Sequence, residues 1–385
     1  MFRSLLILTL LLAAGRAAAS PKHPITPTVP PRTEHSATPL RAKLPAAELP
    51  HADSVALDGR LDYDRRPDTL PFLRPRFLKA GDTIAVVSPA GRMARKTDTA
   101  KIRRRLESWG LHVRFGDHYA DRSRPYFAGS DAERAADLQR AIDDPSVRAI
   151  LAFRGGYGSV RLLPLLDLKP LRRDPKWIAG FSDITTLHLA LRRLGLESIH
   201  GEMPAGFRFD DETEEAAAAD PAEEDPSAES LRRALFGELT AVELPPHPLN
   251  IPGEASGRLA GGNLAVICAA TGTPEELCTD TPTVLFIEEV GEFLFRVDRM
   301  MQSLARSGKL RTLRAVVVGQ FTDMLGGKRF GEEDPYRVLD AYLRPLGIPV
   351  IYGLPSGHDD PNEALYLGRE VTVQVGPEGA RILFR

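Results

Sequence analysis

Cysteine is nearly missing from this 385-residue chain: only Cys268 and Cys278 occur. Two thiols exclude a disulfide scaffold, an iron–sulfur ligand set and an all-cysteine zinc site. They leave open one disulfide or two buried thiols. An excess of charge is missing too. The 50 Lys and Arg stand against 52 Asp and Glu, for a formal net charge of -2. No basic stripe interleaved with aromatics appears, so no nucleic acid partner is expected. Long apolar runs are confined to the extreme N-terminus, which excludes a polytopic membrane protein.

What is there divides the chain in sequence. In residues 1–19, MFRSLLILTLLLAAGRAAA, Arg3 precedes an apolar run from Leu5 to Ala14, and Ala17-Ala18-Ala19 follows. That is the pattern of a signal peptide, with no cysteine near the cleavage point and hence no lipoprotein signal. It predicts an exported, periplasmic or extracellular protein with no stable membrane span after cleavage. Residues 20–71 hold 10 of the 32 prolines, with apolar residues scattered without a period, and read as an extended tether. Folded sequence is expected over 72–209 and 251–385, separated by an acidic linker or insertion at 210–250. Its most acidic part, 210–230, reads as solvated.

Short apolar runs alternate with helical patterns in both folded segments. TIAVVSPAG (83–91), AILAFRGGYG (149–158) and KWIAGF (176–181) each read as a strand running into a loop. Helices are expected near 97–110 and 182–195. In the second segment, 259–274 reads as a helix opening on glycines. TVLFIEEVGE (283–292) and RAVVVGQF (314–321) read as strands, IPVIYGLPSGH (348–358) as a strand running into a Gly/Ser loop, RVDRMMQSLARSG (296–308) as a helix, and EVTVQV with ARILFR as a closing hairpin. The pattern predicts an α/β fold, parallel in its first part, with functional loops at the carboxyl ends of the strands.

Three strand ends carry residues suited to chemistry. In GFSDITTLH, Ser182 falls where a buried strand meets a helix. A serine on such a turn points its hydroxyl outward beside helix N-terminal amides. The pattern lacks the second glycine of a nucleophile elbow, and a helix N-cap by Ser182 or Asp183 is the alternative. In FRGGYGS, consecutive glycines offer backbone N–H groups to an anion, Arg154 offers a carboxylate-binding fork, and a tight turn is the alternative. His358, in LPSGHDD, has the place of a base. Glu288, with Glu289 and Glu292 as competitors, has the place of an acid that orients it. His188 and His200 are expected in core or surface roles.

Taken in order, VVSPAG, RGGYGSVRLLPLLD, GFSDITTLHLAL, HGEMP, GRLAGGNLAVICAATGTP, LFIEEVGEFLFRVDRMMQSL and GLPSGH resemble the LD-carboxypeptidases. These are the serine peptidases that include murein tetrapeptide carboxypeptidase and the microcin-immunity hydrolases. The resemblance runs from about Phe77 to Arg385. It implies a flavodoxin-like N-terminal domain and a C-terminal α/β domain with a β-rich part, with the active site between them. It implies Ser182 as nucleophile, Glu288 as acid and His358 as base, with oxyanion amides at Gly156 and Asp183 and substrate contacts at Arg154 and Tyr157. It also implies release of D-alanine from muropeptide stem peptides through an acyl-enzyme, with no metal or cofactor, in a family whose members are often homodimers. Hydrolysis of peptidyl or aminoacyl nucleotides, and non-catalytic muropeptide binding, are the competing readings.

Overall fold

Buried β-branched runs organise a computed structural model that describes residues 72–94, 97–209 and 225–385. Residues 1–71, read above as a signal peptide and a tether, and residues 210–224 of the acidic segment lie outside the described residues. In the first sheet, strands β1 (Thr83–Val87), β2 (His112–Phe115), β3 (Val147–Ala152), β4 (Trp177–Ala179) and β5 (Ser198–His200) are parallel, in the order 5-4-3-1-2. This is the doubly wound flavodoxin-like order. β1 and β4 are buried throughout, as strands covered on both faces require. The predicted strands at 83, 149 and 176 are all present.

Helices flank these strands, and side-chain caps fix where several of them begin. α1 (Thr99–Ser108) is capped by Asp98, whose carboxylate accepts from the N–H groups of Ala100 and Lys101. α2 (Asp131–Asp143) opens with a capping box between Ser130 and Glu133. α3 (Thr185–Arg193) follows a 3-10 turn over Ser182–Ile184 and buries nearly all its length. The helix α4 (Pro226–Phe236) corrects one expectation. Residues 226–230, read as solvated, form its first turn, with Ser227, Ala228 and Ser230 buried. Asp225 caps it through the Ala228 N–H, and Pro226 suits its first position.

The second sheet is mixed. It contains β6 (Ala241–Leu244), β7 (Gly253–Asn263), β8 (Thr283–Val290), β9 (Leu313–Thr322), β10 (Val350–Ile351), β12 (Glu370–Gly376) and β13 (Gly379–Phe384), in the order 10-9-8-7-12-13-6. Strands β7 to β10 run parallel, and β12 and β13 form the predicted hairpin. β11 (Leu365–Leu367) crosses back and pairs antiparallel with β5 in the first sheet. One hydrophobic cluster joins Ile84, Trp177 and Ile199 of the first sheet to Phe286, Val317 and Val373 of the second. Each fully buried large apolar side chain of this kind contributes about 1.5–3 kcal/mol. Inside it, the buried Arg369 guanidinium pairs with Glu197 at 2.6 Å and lies over the Tyr366 ring at 3.5 Å.

The stretch 259–274 differs from its reading as one helix. Leu259–Asn263 ends β7, and only α5 (Leu264–Ala269) is helical. A side chain at Gly261 would collide with the Phe286 carbonyl oxygen, so glycine here serves close pairing with β8. Helix α6 (Leu294–Arg306) follows β8, as predicted.

Candidate active site

Ser182 stands where β4 turns into α3, with φ of 62°. A non-glycine residue in the left-handed region carries about 1–3 kcal/mol of strain, held by its surroundings. Those surroundings are specific. His188 reaches back eight residues and donates from Nε2 to the Gly180 carbonyl at 2.8 Å, while its Nδ1 accepts from Ser198 Oγ at 2.9 Å. Burial pushes this imidazole down to about 4, so it stays neutral, in the core role expected for it. Asp183 is not an N-cap. Its buried carboxylate accepts from the Ser159 N–H at 2.8 Å, and its carbonyl accepts from Ser159 Oγ at 2.7 Å. The turn is thereby tied to the end of the glycine loop. Burial raises the Asp183 carboxyl, against the bonds from Ser159 and Gly158.

The glycine loop lies against the serine. A Cβ placed on Gly155 would sit 3.0 Å from Ser182 Cβ and 3.2 Å from its Oγ. A side chain there would push the serine by a few tenths of an ångström, so glycine permits this close approach. Gly156 follows at φ of 109°, beside the Tyr126 hydroxyl. Tyr157 is 48% exposed, with its ring 5.9 Å from that of Phe127. Arg154 is half-buried and donates to the Arg92 carbonyl at 3.1 Å. The sequence reading takes Gly155 and Gly156 together, because a pair of glycines does not say which one makes the contact.

The second sheet supplies an ion pair. His358 Nδ1 lies 2.7 Å from Glu288 Oε2, and Glu288 is fully buried. Strand alternation resolves the competition among the glutamates. Glu288 faces the histidine, and Glu289 faces the opposite side. There Glu289 accepts from Asn263 Nδ2 at 3.0 Å and the Ala265 N–H at 2.7 Å, at the start of α5. Burial pushes Glu289 up to about 7, and the charge of Glu288 adds to this. Glu292 pairs with Arg296 on the surface. Opposite Glu288 the ladder slips: Ile287 pairs with Val318 but Glu289 with Phe321. Such a bulge re-aims side chains, and here it includes Gln320.

Gln320 and Asn362 fix the histidine loop. Gln320 Oε1 accepts from the Asp359 N–H at 2.7 Å and its Nε2 donates to the Pro361 carbonyl at 3.0 Å. Asn362 Oδ1 accepts from the Gly357 N–H at 3.0 Å. Burial pulls the His358 imidazole down. The hydrogen bond and charge of Glu288, with the charges of Glu289 and Glu202, outweigh it and raise the group above 6.5.

One aromatic side chain links the two halves of the constellation. Phe181, the residue before Ser182, sets its ring edge-on to His358 at 4.9 Å between centroids. Phe181 also lies 5.7 Å from His200, which is buried and packed edge-on against Phe286 at 4.8 Å. Burial holds the His200 imidazole well below 6.5. Glu202, in the HGEMP segment, is a further residue that the sequence reading left without a role. Its Oε1 accepts from the Met203 N–H at 2.8 Å, and burial pushes its carboxyl up to about 7.

Comparison with known proteins identifies the family. Residues 84–201 match the LD-carboxypeptidase N-terminal domain, and residues 256–373 match the LD-carboxypeptidase C-terminal domain. The chain belongs to the LD-carboxypeptidase family. A probable murein peptide carboxypeptidase of Bacillus subtilis is 33% identical, over 80% of this chain and 94% of that one. The murein tetrapeptide carboxypeptidase of Pseudomonas aeruginosa is 32% identical, over 76% of this chain and 92% of its own. The crystal structure of muramoyltetrapeptide carboxypeptidase from Oxalobacter formigenes superposes with a TM-score of 0.68 at 28% identity, covering 78% of this chain and 98% of that chain. The structure of MccF in complex with glutamyl sulfamoyl guanosine shares the fold, with a TM-score of 0.68 at 23% identity and coverage of 82% and 99%.

This LD-carboxypeptidase is a serine-type enzyme of mixed α/β architecture, as the sequence pattern implied. Its cysteines are free: Cys278 is buried, and burial raises the Cys268 thiol to about 12, with help from the charge of Glu289. Among the described residues, no group of three or more His, Cys, Asp or Glu is arranged to hold a metal ion. No helix among them is long and apolar enough to cross a membrane.

Proposed function

We propose that Ser182, His358 and Glu288 form the catalytic triad, and that the enzyme releases the terminal D-alanine of peptidoglycan tetrapeptides. The observation that carries this reading is the His358–Glu288 pair at 2.7 Å, beside the residue that precedes a strained serine. The murein and muramoyltetrapeptide names of the relatives supply the substrate class.

Ser182 Oγ attacks the carbonyl of the bond after the L-configured centre while His358 Nε2 takes its proton. Glu288 accepts from Nδ1–H, which fixes the tautomer and stabilises the imidazolium. The backbone amides of Asp183 and Gly156 receive the oxyanion. His358 then gives its proton to the departing D-alanine amine. Water, deprotonated by the same imidazole, resolves the acyl-enzyme and restores Ser182. Arg154 and Tyr157 flank the bound peptide. The N-terminal 19 residues direct the chain out of the cytoplasm, so the substrate is stem peptide or fragment outside the inner membrane, and the protein acts as a homodimer.

Incubation with a defined tetrapeptide, followed by mass spectrometry, is expected to release D-alanine with the unsubstituted enzyme and none with Ser182→Ala. Equal release by both would remove Ser182 from the chemistry. A mature N-terminus at Ser20 in exported material checks the localisation.

A further inference from the structure

Three arginines lie close to the loop that touches Ser182. Arg92, Arg122 and Arg154 line a pocket of about 200 Å3 in which no Asp or Glu takes part. Backbone carbonyls orient each guanidinium. Arg154 Nη1 donates to Arg92 O at 3.1 Å, Arg122 Nη2 to Ala94 O at 2.6 Å, and Arg92 Nη1 to Arg124 O at 3.4 Å. Among the described residues, none of the three forms an ion pair. Elsewhere in the N-terminal half, Arg161 pairs with Asp131 at 2.6 Å and Arg148 with Asp174 at 2.8 Å. Three like charges facing one cavity repel each other, and a bound anion turns that repulsion into charge-assisted hydrogen bonding.

The fold places this pocket where a ligand belongs. In the strand order 2-1-3-4-5 the topological switch point lies between β1 and β3. Gly91 and Arg92 follow β1, and Arg154 follows β3. The two loops are joined by the Gly91 N–H, which donates to the Gly155 carbonyl at 3.2 Å. Gly155 is also the residue that presses on Ser182, and the Tyr126 hydroxyl of the pocket wall reaches Gly156. The pocket and the nucleophile therefore border the same glycine loop.

We propose that this pocket is a carboxylate subsite in which Arg92 and Arg122, with Arg154, bind a carboxylate of the peptide whose bond Ser182 cuts. The inference rests on the peptidase reading and deepens it. Two carboxylates share the required chemistry: the free terminus of the departing residue, and the side-chain carboxylate of the diamino acid before it. Anchoring the terminus would make the enzyme an exopeptidase by charge, since an internal bond has no anion at that distance.

The test measures binding, so that it does not depend on turnover. Calorimetric titration of the Ser182→Ala protein uses three tetrapeptides: the free acid, the C-terminal carboxamide and the side-chain carboxamide. One carboxamide is expected to bind about 10- to 100-fold more weakly than the acid, and its position identifies the carboxylate held. In Ser182→Ala proteins that also carry Arg92→Gln or Arg122→Gln, the acid is expected to weaken by a similar factor. The same carboxamide should then lose little more. The carboxamide comparison needs no arginine variant, so misfolding of the latter leaves it intact. Equal affinity for all three peptides, no binding of any, or an undiminished carboxamide penalty in both arginine variants would overturn the subsite. Arginine-dependent binding by Ser182→Ala, together with no D-alanine release by the unsubstituted enzyme, would keep the subsite and overturn the cleavage reading.

Discussion

Ser182 is held by bent backbone at the end of a parallel strand, whereas His358 is held by a fully buried carboxylate and side-chain hydrogen bonds beside a bulged one. The first arrangement uses few side-chain bonds at the serine itself. Its precision comes from glycine contacts and from His188 and Ser159 clamping the turn. The second uses many: Glu288, Gln320 and Asn362 each fix one part of the histidine loop. A nucleophile has to project from a defined point, which strain and steric contact secure. A base has to keep one tautomer and a tuned proton affinity, which needs a charged partner out of water.

The largest effects should come from removing the groups these two devices present. Ser182→Ala and His358→Ala are each expected to lower kcat by roughly 10^4- to 10^6-fold, and Glu288→Gln by somewhat less, near 10^4-fold. Steady-state kinetics on a tetrapeptide checks the order. A Glu288→Gln enzyme as active as the unsubstituted one would break the comparison on the histidine side.

Next in size is Gly155→Ala. It puts a methyl 3.2 Å from Ser182 Oγ without touching the triad chemically. Displacing the nucleophile by a fraction of an ångström is expected to cost up to about 100-fold in kcat/KM, with the unfolding midpoint nearly kept.

The pH dependence sharpens the histidine side. Glu288 and the charges near it raise His358 above 6.5. The base must be neutral, so kcat/KM should climb with pH along a limb centred above 6.5. In Glu288→Gln the residual activity should climb at lower pH, because the largest influence opposing burial is then gone and only the weaker charges of Glu289 and Glu202 remain. A limb that stays in place would remove Glu288 from the control of His358.

The smallest effect probes the strain alone. Glycine accepts φ of 62° freely, so Ser182→Gly should unfold at higher urea than Ser182→Ala, by about 1 kcal/mol after the loss of chain entropy in glycine. Equal stability would mean the turn is not strained.

Much of this arrangement was legible as local pattern. The strand runs at 83, 149, 176, 283 and 314 and the final hairpin appear where the sequence puts them. Ser182, Glu288 and His358 could be named because ordered motifs carry them. Other features were not legible. Periodicity could not show that Leu259–Asn263 continues a strand, since the reason is a neighbouring carbonyl on β8. Neither could it separate Ser227 and Ser230 from the acidic run before them. The arginine pocket joins loops 62 residues apart in the chain, and no single segment announces it.

Sequence by itself determined the elements and the chemical types available to the site, because hydrophobic period, caps and turn residues act over a few neighbours. Tertiary structure alone decided which glutamate meets His358, which glycine touches Ser182 and which arginines go unpaired. Those choices depend on strand register, on a bulge and on loops brought together by crossover connections, and such long-range distances are set only when the sheets assemble.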